Sequence, residues 1–396
     1  MLKAYKYQLD PTPSQKRWLS QAFGNVRYVY NWSLAERIKA YEQDKKRLTA
    51  YDLCKKLTSL KHEKDKIWLN ETPISSLQYA IRNMDSAFTR FFREKKGFPK
   101  FRSKYGRQSI QLINNVTIDF DVNKIKIPKI DSIRVFATRQ FKGSMRTITI
   151  STNAAGKYFI SILIDTNETA PAKTFIKETT TIGVDVGLKH FAVLSNGERI
   201  DNPRHYQKSE KRLAVLQRRL SRKQKNSKRR EKTKLAIAKQ HYKITCQRND
   251  FLHKLTSQLV KSHDSIVIED LNVEGMLKNH CLAKHISSAA WSEFFRQLQY
   301  KCEWNGKNLI RIGRFDPSSR MCTCGIINHT LKLSDRTWTC RACGTKHDRD
   351  LLAANNIKMF GLQQQNLIGQ NSGEVIAVEG VEAFASAKPM KRQVSS

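Results

Sequence analysis

Acidic residues are in short supply in this 396-residue sequence: 35 Asp and Glu stand against 72 Lys and Arg, a formal net charge of +37. A compact chain of that charge repels itself unless a polyanion lies close by. Long apolar runs are also missing. No segment approaches the roughly 18 consecutive apolar residues of a membrane helix, which argues against a transmembrane chain. The opening residues, MLKAYKYQLDPTPSQ, lack the apolar core of a secretory signal, so a cytosolic protein is expected. The P-loop, HExxH and GxSxG signatures are absent, and with them the chemistries those motifs carry. No internal repeat is found.

What is present suffices for folding. Hydrophobic residues make up 39% of the chain, and its length suits two or three domains. The basic excess is spread along the whole sequence, which favours nucleic acid over a membrane surface as the polyanion. The eight cysteines are unevenly placed. Cys54, Cys246, Cys281 and Cys302 are scattered and read as small buried side chains. Cys322, Cys324, Cys340 and Cys343 fall close together, and without a secretion signal that clustering favours metal over disulfides.

Hydrophobic periodicity outlines the organisation. Residues 2–9 alternate as a strand, ended by Pro11 and Pro13. From about 14 to 95 the period is helical, and Ile74, Leu77, Ile81, Met84, Phe88 and Phe91 form one stripe. Phe92, Tyr28, Tyr30 and Trp32 also read as core. Ile110 to Asp165 is strand-like, and the strand at 2–9 is expected to join that sheet. After a linker at 166–178, TTIGVDVGLKHFAVLSNGERI reads as two strands joined at Asn196-Gly197. Residues 208–243 hold fifteen Lys and Arg against two Glu, on two helices expected to form a hairpin. Ser265–Glu269 and Asn308–Phe315 read as strands, with a helix over Trp291–Leu298 between them. A last helix opens at Leu351.

Three acids sit in unusual contexts. Asp185 lies mid-strand in IGVDVG, where a charge is costly unless paired or metal-bound. Glu269 ends the apolar strand SIVIE. Asp350 begins the helix in HDRDLLAANNI, whose Ala353 and Ala354 allow close packing on a sheet. Each has a bland reading alone, as an N-cap or a lysine partner. Their order is that of an RNase H-like nuclease, in which carboxylates from separated strands and a final helix hold two magnesium ions. Asp270 and Asp348 are the alternatives to Glu269 and Asp350.

The sequence resembles the TnpB (OrfB) family of bacterial insertion sequences, related to type V CRISPR effectors. The stretches that carry the resemblance run over residues 1–360: GNVRYVYNW, GFPKFRSK, GVDVGLKHFAVLS, QRRLSRKQKNSKRREK, RNDFLHKL, IVIEDLNVEGM, DPSSRMCTCG, WTCRACG and HDRDLLAANNI. The resemblance implies an α/β multidomain fold. A β-barrel, wedge-like domain would comprise residues 1–10 and 104–170, and a helical recognition domain residues 11–103. A RuvC-like nuclease domain would span 178–315 and 345–362, with a zinc-finger insert at 316–344 and a disordered tail at 366–396. It further implies an RNA-guided, magnesium-dependent DNA endonuclease with Asp185, Glu269 and Asp350 as catalytic acids. Such a protein pairs a transposon-derived guide RNA with double-stranded DNA beside a short adjacent motif. A bacterial cytoplasmic, nucleoid-associated location and a monomer carrying its RNA are expected. Lys100, Arg102, Lys104, Arg218, Arg219, Arg222, Lys223, Lys228, Arg229 and Arg230 are candidate nucleic-acid contacts, since a guide carrier must grip phosphates without reading sequence.

Two pairs of cysteines joined by a loop make a structural zinc site. Cys340-x-x-Cys343 has the usual knuckle spacing, whereas Cys322-x-Cys324 is one residue short; His329 and His347 are alternatives for one thiolate. A second departure from the family pattern is Leu352, where Asn is usual. The rival functions are a guide-dependent DNA binder that does not cleave and an RNA-independent transposase or resolvase.

Overall fold

The structure, a computed structural model, describes residues 1–372 apart from 46, 114 and 333, with side chains given through residue 365. The chain is α/β throughout and divides into two compact units. One comprises residues 1–169 and 225–239, the other residues 170–224 and those from 240 onward.

In the first unit, β1 (Leu2–Asp10) alternates as its sequence predicts, burying Tyr7 and Leu9. Thr12 then closes a capping box with Gln15, with Pro13 in the first turn, and starts α1 (Pro13–Asp44). A second capping box, Thr49 with Asp52, starts α2 (Ala50–Leu60). The third helix, α3 (Ile74–Glu94), buries a stripe of Leu77, Ala80, Ile81, Met84 and Phe88. Six strands follow: β2 (Gln108–Leu112), β3 (Thr117–Asp119), β4 (Lys124–Ile127), β5 (Ile130–Phe136), β6 (Ser144–Thr152) and β7 (Tyr158–Asp165). All seven strands form one antiparallel sheet in the linear order β2-β6-β7-β1-β5-β4-β3. Strand β1 does join it, pairing with β7 from Leu2↔Asp165 to Leu9↔Tyr158. The three helices therefore interrupt the sheet in sequence without interrupting its pairing. A single apolar core contains residues of both, among them Leu19, Val26, Leu34, Met84, Ile125, Ile148 and Ile160. The stripe ends at Phe88: Phe91 is half-buried and Phe92 is 70% exposed, not core. The last turn of α3 outruns the packed stripe, and Phe91 instead meets Phe92 and Phe98 at 5.0 and 5.4 Å.

The second unit opens with three strands where the sequence suggests two: β8 (Thr181–Val186), β9 (His190–Leu194) and β10 (Arg199–Asp201). The extra turn lies at Gly187–Lys189, and Asn196-Gly197 joins β9 to β10. Two basic helices follow in sequence, α4 (His205–Ser221) and α5 (Lys228–Ser262), the second much longer than the basic stretch itself and with its residues 228–239 belonging to the first unit. Next come β11 (Ser265–Glu269), α6 (Val273–Met276), α7 (Ala283–Ala289), α8 (Trp291–Trp304) and β12 (Asn308–Ile312). The sheet order is β10-β9-β8-β11-β12, antiparallel at one side and parallel across β8, β11 and β12. A strand buried on both faces reads as a continuous apolar run, and SIVIE is one. Ile266 and Ile268 pack with Leu252, Leu255, Phe294 and Leu298. Val267 packs on the opposite face with Ile310, Ile312 and Ile357.

A small hairpin, β13 (Thr337–Thr339) with β14 (Lys346–Asp348), leads into α9 (Arg349–Ser372). The helix thus extends into the stretch assigned to a disordered tail; residues 373–396 lie outside the described residues. The expectation that the scattered cysteines are buried fails on exposure. Cys246 and Cys281 are exposed and Cys54 is half-buried, so of the scattered cysteines Cys302 alone is core. Among the described residues no helix is long and apolar enough to cross a membrane.

Candidate catalytic centre and metal site

Two neighbouring strands of the second unit carry carboxylates at the last or next-to-last position. β8 and β11 run parallel, with Ile266 opposite Ile182 and Ile268 opposite Val184. One residue further along come Asp185 and Glu269, so parallel pairing alone brings them to the same sheet end. Asp350 arrives from α9. A Cβ built on Gly183 would lie 2.1 Å from the Ala354 carbonyl oxygen, so the helix backbone rests directly on β8 at a position only glycine allows. Ala353 and Ala354 are buried there. Asp350, one turn earlier, is carried to the strand end. Asp185, Glu269 and Asp350 together line a cavity of about 250 Å³, with Ser318, Arg336 and Arg349.

Each acid has definite surroundings. Burial pushes the Asp185 carboxyl well above the usual carboxylate range, and the charges of Glu269 and Asp350 push the same way. Glu269 Oε1 accepts a 2.5 Å hydrogen bond from Ser318 Oγ. Asp350 Oδ1 lies 3.5 Å from Arg336 Nη1. The two alternatives are engaged elsewhere. Asp270 pairs with Arg314 at 2.7 Å. Asp348 accepts from the N–H groups of Asp350 and Leu351, capping α9, and pairs with Arg199 at 2.7 Å. The cavity acids form a set of hard oxygen donors, the chemistry that suits magnesium.

The thiols make a tighter group. The sulfurs of Cys322, Cys324, Cys340 and Cys343 all lie within 4.8 Å of one another. Cys322–Cys343 and Cys324–Cys340 are 3.5 and 3.7 Å apart. A tetrahedral zinc site with Zn–S of about 2.3 Å needs sulfur–sulfur edges of about 3.8 Å, so the short C-x-C spacing does not prevent a four-thiol set. Both knuckles turn on a glycine of positive φ: Gly325 at 87° and Gly344 at 74°. Their N–H groups donate to the carbonyls of Cys322 and Cys340. Hydrogen bonding with Thr345 holds the Cys343 thiol down to about 6, favouring the thiolate a metal requires. His347 is not one of the four grouped residues; its Nε2 lies 3.0 Å from Cys322 Sγ and its ring packs on Trp338. His329 is exposed and outside the group. Leu352 is buried with Cys322, Leu331, Trp338 and Cys340. It is therefore part of the cysteine module, and is not among the cavity-lining residues.

A protein of Streptomyces pristinaespiralis named "Putative RNA-guided DNA endonuclease" is 38% identical over 91% of this chain and 89% of its own. The Escherichia coli K12 protein "Putative RNA-guided DNA endonuclease InsQ" is 30% identical over 91% of this chain and 92% of its own. Residues 162–280 match the OrfB model described as "Probable transposase". The chain belongs to the TnpB (OrfB) family. Residues 291–357, which hold the four cysteines, match the model "Cas12f1-like, TNB domain". The TnpB-family fold extends to a solved Cas12f1–sgRNA–target DNA complex, with a TM-score of 0.54 at 13% identity over 87% of this chain and 83% of that one.

Residues 1–46 match a family model described as a helix-turn-helix domain. In this TnpB-family chain they comprise one strand and one long helix without a turn inside it. The basic candidates fall in three places. Lys100, Arg102 and Lys104 lie on the loop before β2, where the Arg102 guanidinium packs 3.6 Å over the Tyr30 ring. Arg218 and Arg219 end α4, with Arg222 and Lys223 just beyond; Lys228, Arg229 and Arg230 open α5. Apart from half-buried Lys223 and Arg230, these residues are exposed. Sequence reasoning missed Ser318, Arg336 and Arg349. The first lies in DPSSRMC, a segment whose visible signal is its cysteine.

Proposed function

We propose that this TnpB-family protein is an RNA-guided, magnesium-dependent endonuclease, encoded by a bacterial insertion sequence, that cleaves double-stranded DNA beside a short transposon-adjacent motif. The observation that carries this reading is the convergence of Asp185, Glu269 and Asp350 on one cavity, from two parallel strand ends and a helix start. The names of its 38% and 30% identical relatives point the same way. Under this reading the second unit contains a RuvC-like, RNase H-like nuclease, and the seven-stranded sheet of the first is a wedge-like barrel carrying a helical recognition insert.

Asp185, Glu269 and Asp350 would hold the magnesium, which supplies Lewis-acid catalysis of phosphodiester hydrolysis when bound. The paired strands fix the backbone at Asp185 and Glu269, which suits a site that must orient its ligands. Arg336, beside Asp350, is placed to meet a phosphate oxygen of the DNA strand. Cys322, Cys324, Cys340 and Cys343 would hold one structural zinc, leaving no open position for chemistry on that ion. The +37 charge suits a guide RNA and target DNA as partners. We place the protein in the bacterial cytoplasm at the nucleoid, as a monomer with its RNA.

The test is co-purification from cells carrying the flanking transposon end, with sequencing of the bound RNA and cleavage of a matching plasmid library. A defined RNA and magnesium-dependent cuts are expected, with Asp185→Ala lowering cleavage by at least about a hundredfold. A defined RNA without cutting would leave a guide-dependent binder. Cutting that survives RNA removal would leave an RNA-independent nuclease.

A further inference from the structure

The loop between β12 and Cys322 lines the acid cavity with two serines, Ser318 and Ser319, and Ser318 bonds one of the acids. Ser318 is 7% exposed, and its Oγ is 2.5 Å from Glu269 Oε1, the length of an O–H group donating to a carboxylate. Of the three cavity acids, Glu269 lies at the end of a strand, where its side chain has several rotamers open to it. Ser318 selects one of them.

Ser318 is itself held. Asn356, 3% exposed on α9, donates from Nδ2 to the Ser318 carbonyl at 2.6 Å and to the Met321 carbonyl at 2.7 Å. One amide thus uses both its donors on one loop. Within that loop, Ser318 N–H donates to the Asp316 carbonyl, and Met321 N–H to the Pro317 carbonyl. The Asp316 carboxylate accepts in turn from Gly313 N–H at 2.7 Å, closing the segment on itself. A polar side chain buried inside a helix face loses more by being unpaired than it gains by burial, so Asn356 needs these two carbonyls. Asn356 also lies six residues after Asp350, on the same helix. The element that brings the third acid to the cavity therefore also locks the loop that orients the second.

We propose that Ser318 is a positioning residue for Glu269 and that Asn356 clamps it in place. Ser318 acts through Glu269: its hydroxyl holds the carboxylate in the orientation in which Glu269 would bind a divalent cation. The inference rests on the metal-dependent nuclease reading. Partners of this kind change metal affinity by roughly 10–100-fold when removed from known sites.

The experiment uses the full chain without RNA, so that nucleic-acid phosphates do not bind the probe. Manganese(II) binding is followed by electron paramagnetic resonance for the unaltered protein, Ser318→Ala, Ser318→Thr, Asn356→Ala and Asp185→Ala. In parallel, cleavage by the RNA complex is measured against magnesium concentration. For Ser318→Ala, manganese affinity should fall roughly tenfold or more, and half-maximal cleavage should need correspondingly more magnesium. The rate at saturating magnesium should change little. Ser318→Thr, which keeps the hydroxyl, should restore both values. Asn356→Ala should reproduce the Ser318→Ala pattern; should it fail to fold, the serine pair still decides the matter. Unchanged metal affinity in Ser318→Ala overturns the proposal, as does a Ser318→Thr variant as impaired as Ser318→Ala. If the unaltered protein and Asp185→Ala bind manganese alike, the metal-dependent reading falls and this inference with it.

Discussion

At the scale of single residues, surroundings rather than residue type separate the acids that line the cavity from those beside them in sequence. Asp270 is consumed by Arg314, and Asp348 by its capping role and Arg199. Neither ion pair can be read from strand alternation or from a helix start, because Arg314 and Arg199 come from distant sequence. Leu352 carries a similar lesson. Against the family pattern it reads as a change at the catalytic helix, whereas its contacts are with the cysteine module. Leu352→Ala should therefore weaken that module by about 2–4 kcal/mol, the usual cost of truncating a buried leucine. Zinc transfer to a coloured chelator should be roughly tenfold faster or more. Unchanged transfer would remove Leu352 from the support of the zinc site.

At the scale of elements, α9 and α8 show two ways a helix is anchored here, one on the sheet and one on another helix. α9 succeeds through small residues: Ala354 against Gly183, and Gly361, where a Cβ would meet Val267 at 2.4 Å. α8 uses a charge. Lys301 Nζ donates to the His253 carbonyl, Thr256 Oγ1 and Ser257 Oγ of α5, at 2.9, 2.7 and 2.8 Å. Burial without a carboxylate among these partners pulls its ammonium down to about 8 from 10.5. The folded value lies below the unfolded one, so unfolding takes up a proton across that window and stability rises as pH climbs through it. Thermal midpoints of the unaltered protein relative to Lys301→Met should rise between about pH 8 and 10. Parallel curves for the two proteins would show that the lysine is not desolvated. The helices and strands themselves were largely legible, because stripes, capping boxes and alternation are local signals. Phe92 was misread because a periodic stripe does not say where its packing partner ends.

At the scale of the whole molecule, the dominant quantity is charge. Each phosphate contact releases counterions, so the logarithm of the RNA affinity should fall linearly with the logarithm of salt concentration. Replacing Arg218, Arg219 and Arg222 together by Ala should reduce that slope by roughly 2, from about 0.7 per lost contact with single-stranded RNA. Filter binding over a salt series checks this. An unchanged slope would mean that the end of α4 does not meet the guide.

The sequence by itself determined the composition-level traits and the local ones. The basic excess, the apolar strands and the cysteine spacing are properties of neighbouring residues, and so are the caps that start α1 and α2. It also marked Asp185, Glu269 and Asp350, because a carboxylate at the end of an apolar strand or at a helix start stands out locally. Only the tertiary structure decided what surrounds them. Parallel pairing aligns the ends of β8 and β11, and the glycine contact sets α9 on β8. Ser318 reaches Glu269 across a sequence separation of 49, and Asn356 holds that loop from α9. Such contacts depend on which distant segments fold against each other, and no spacing within a segment encodes them.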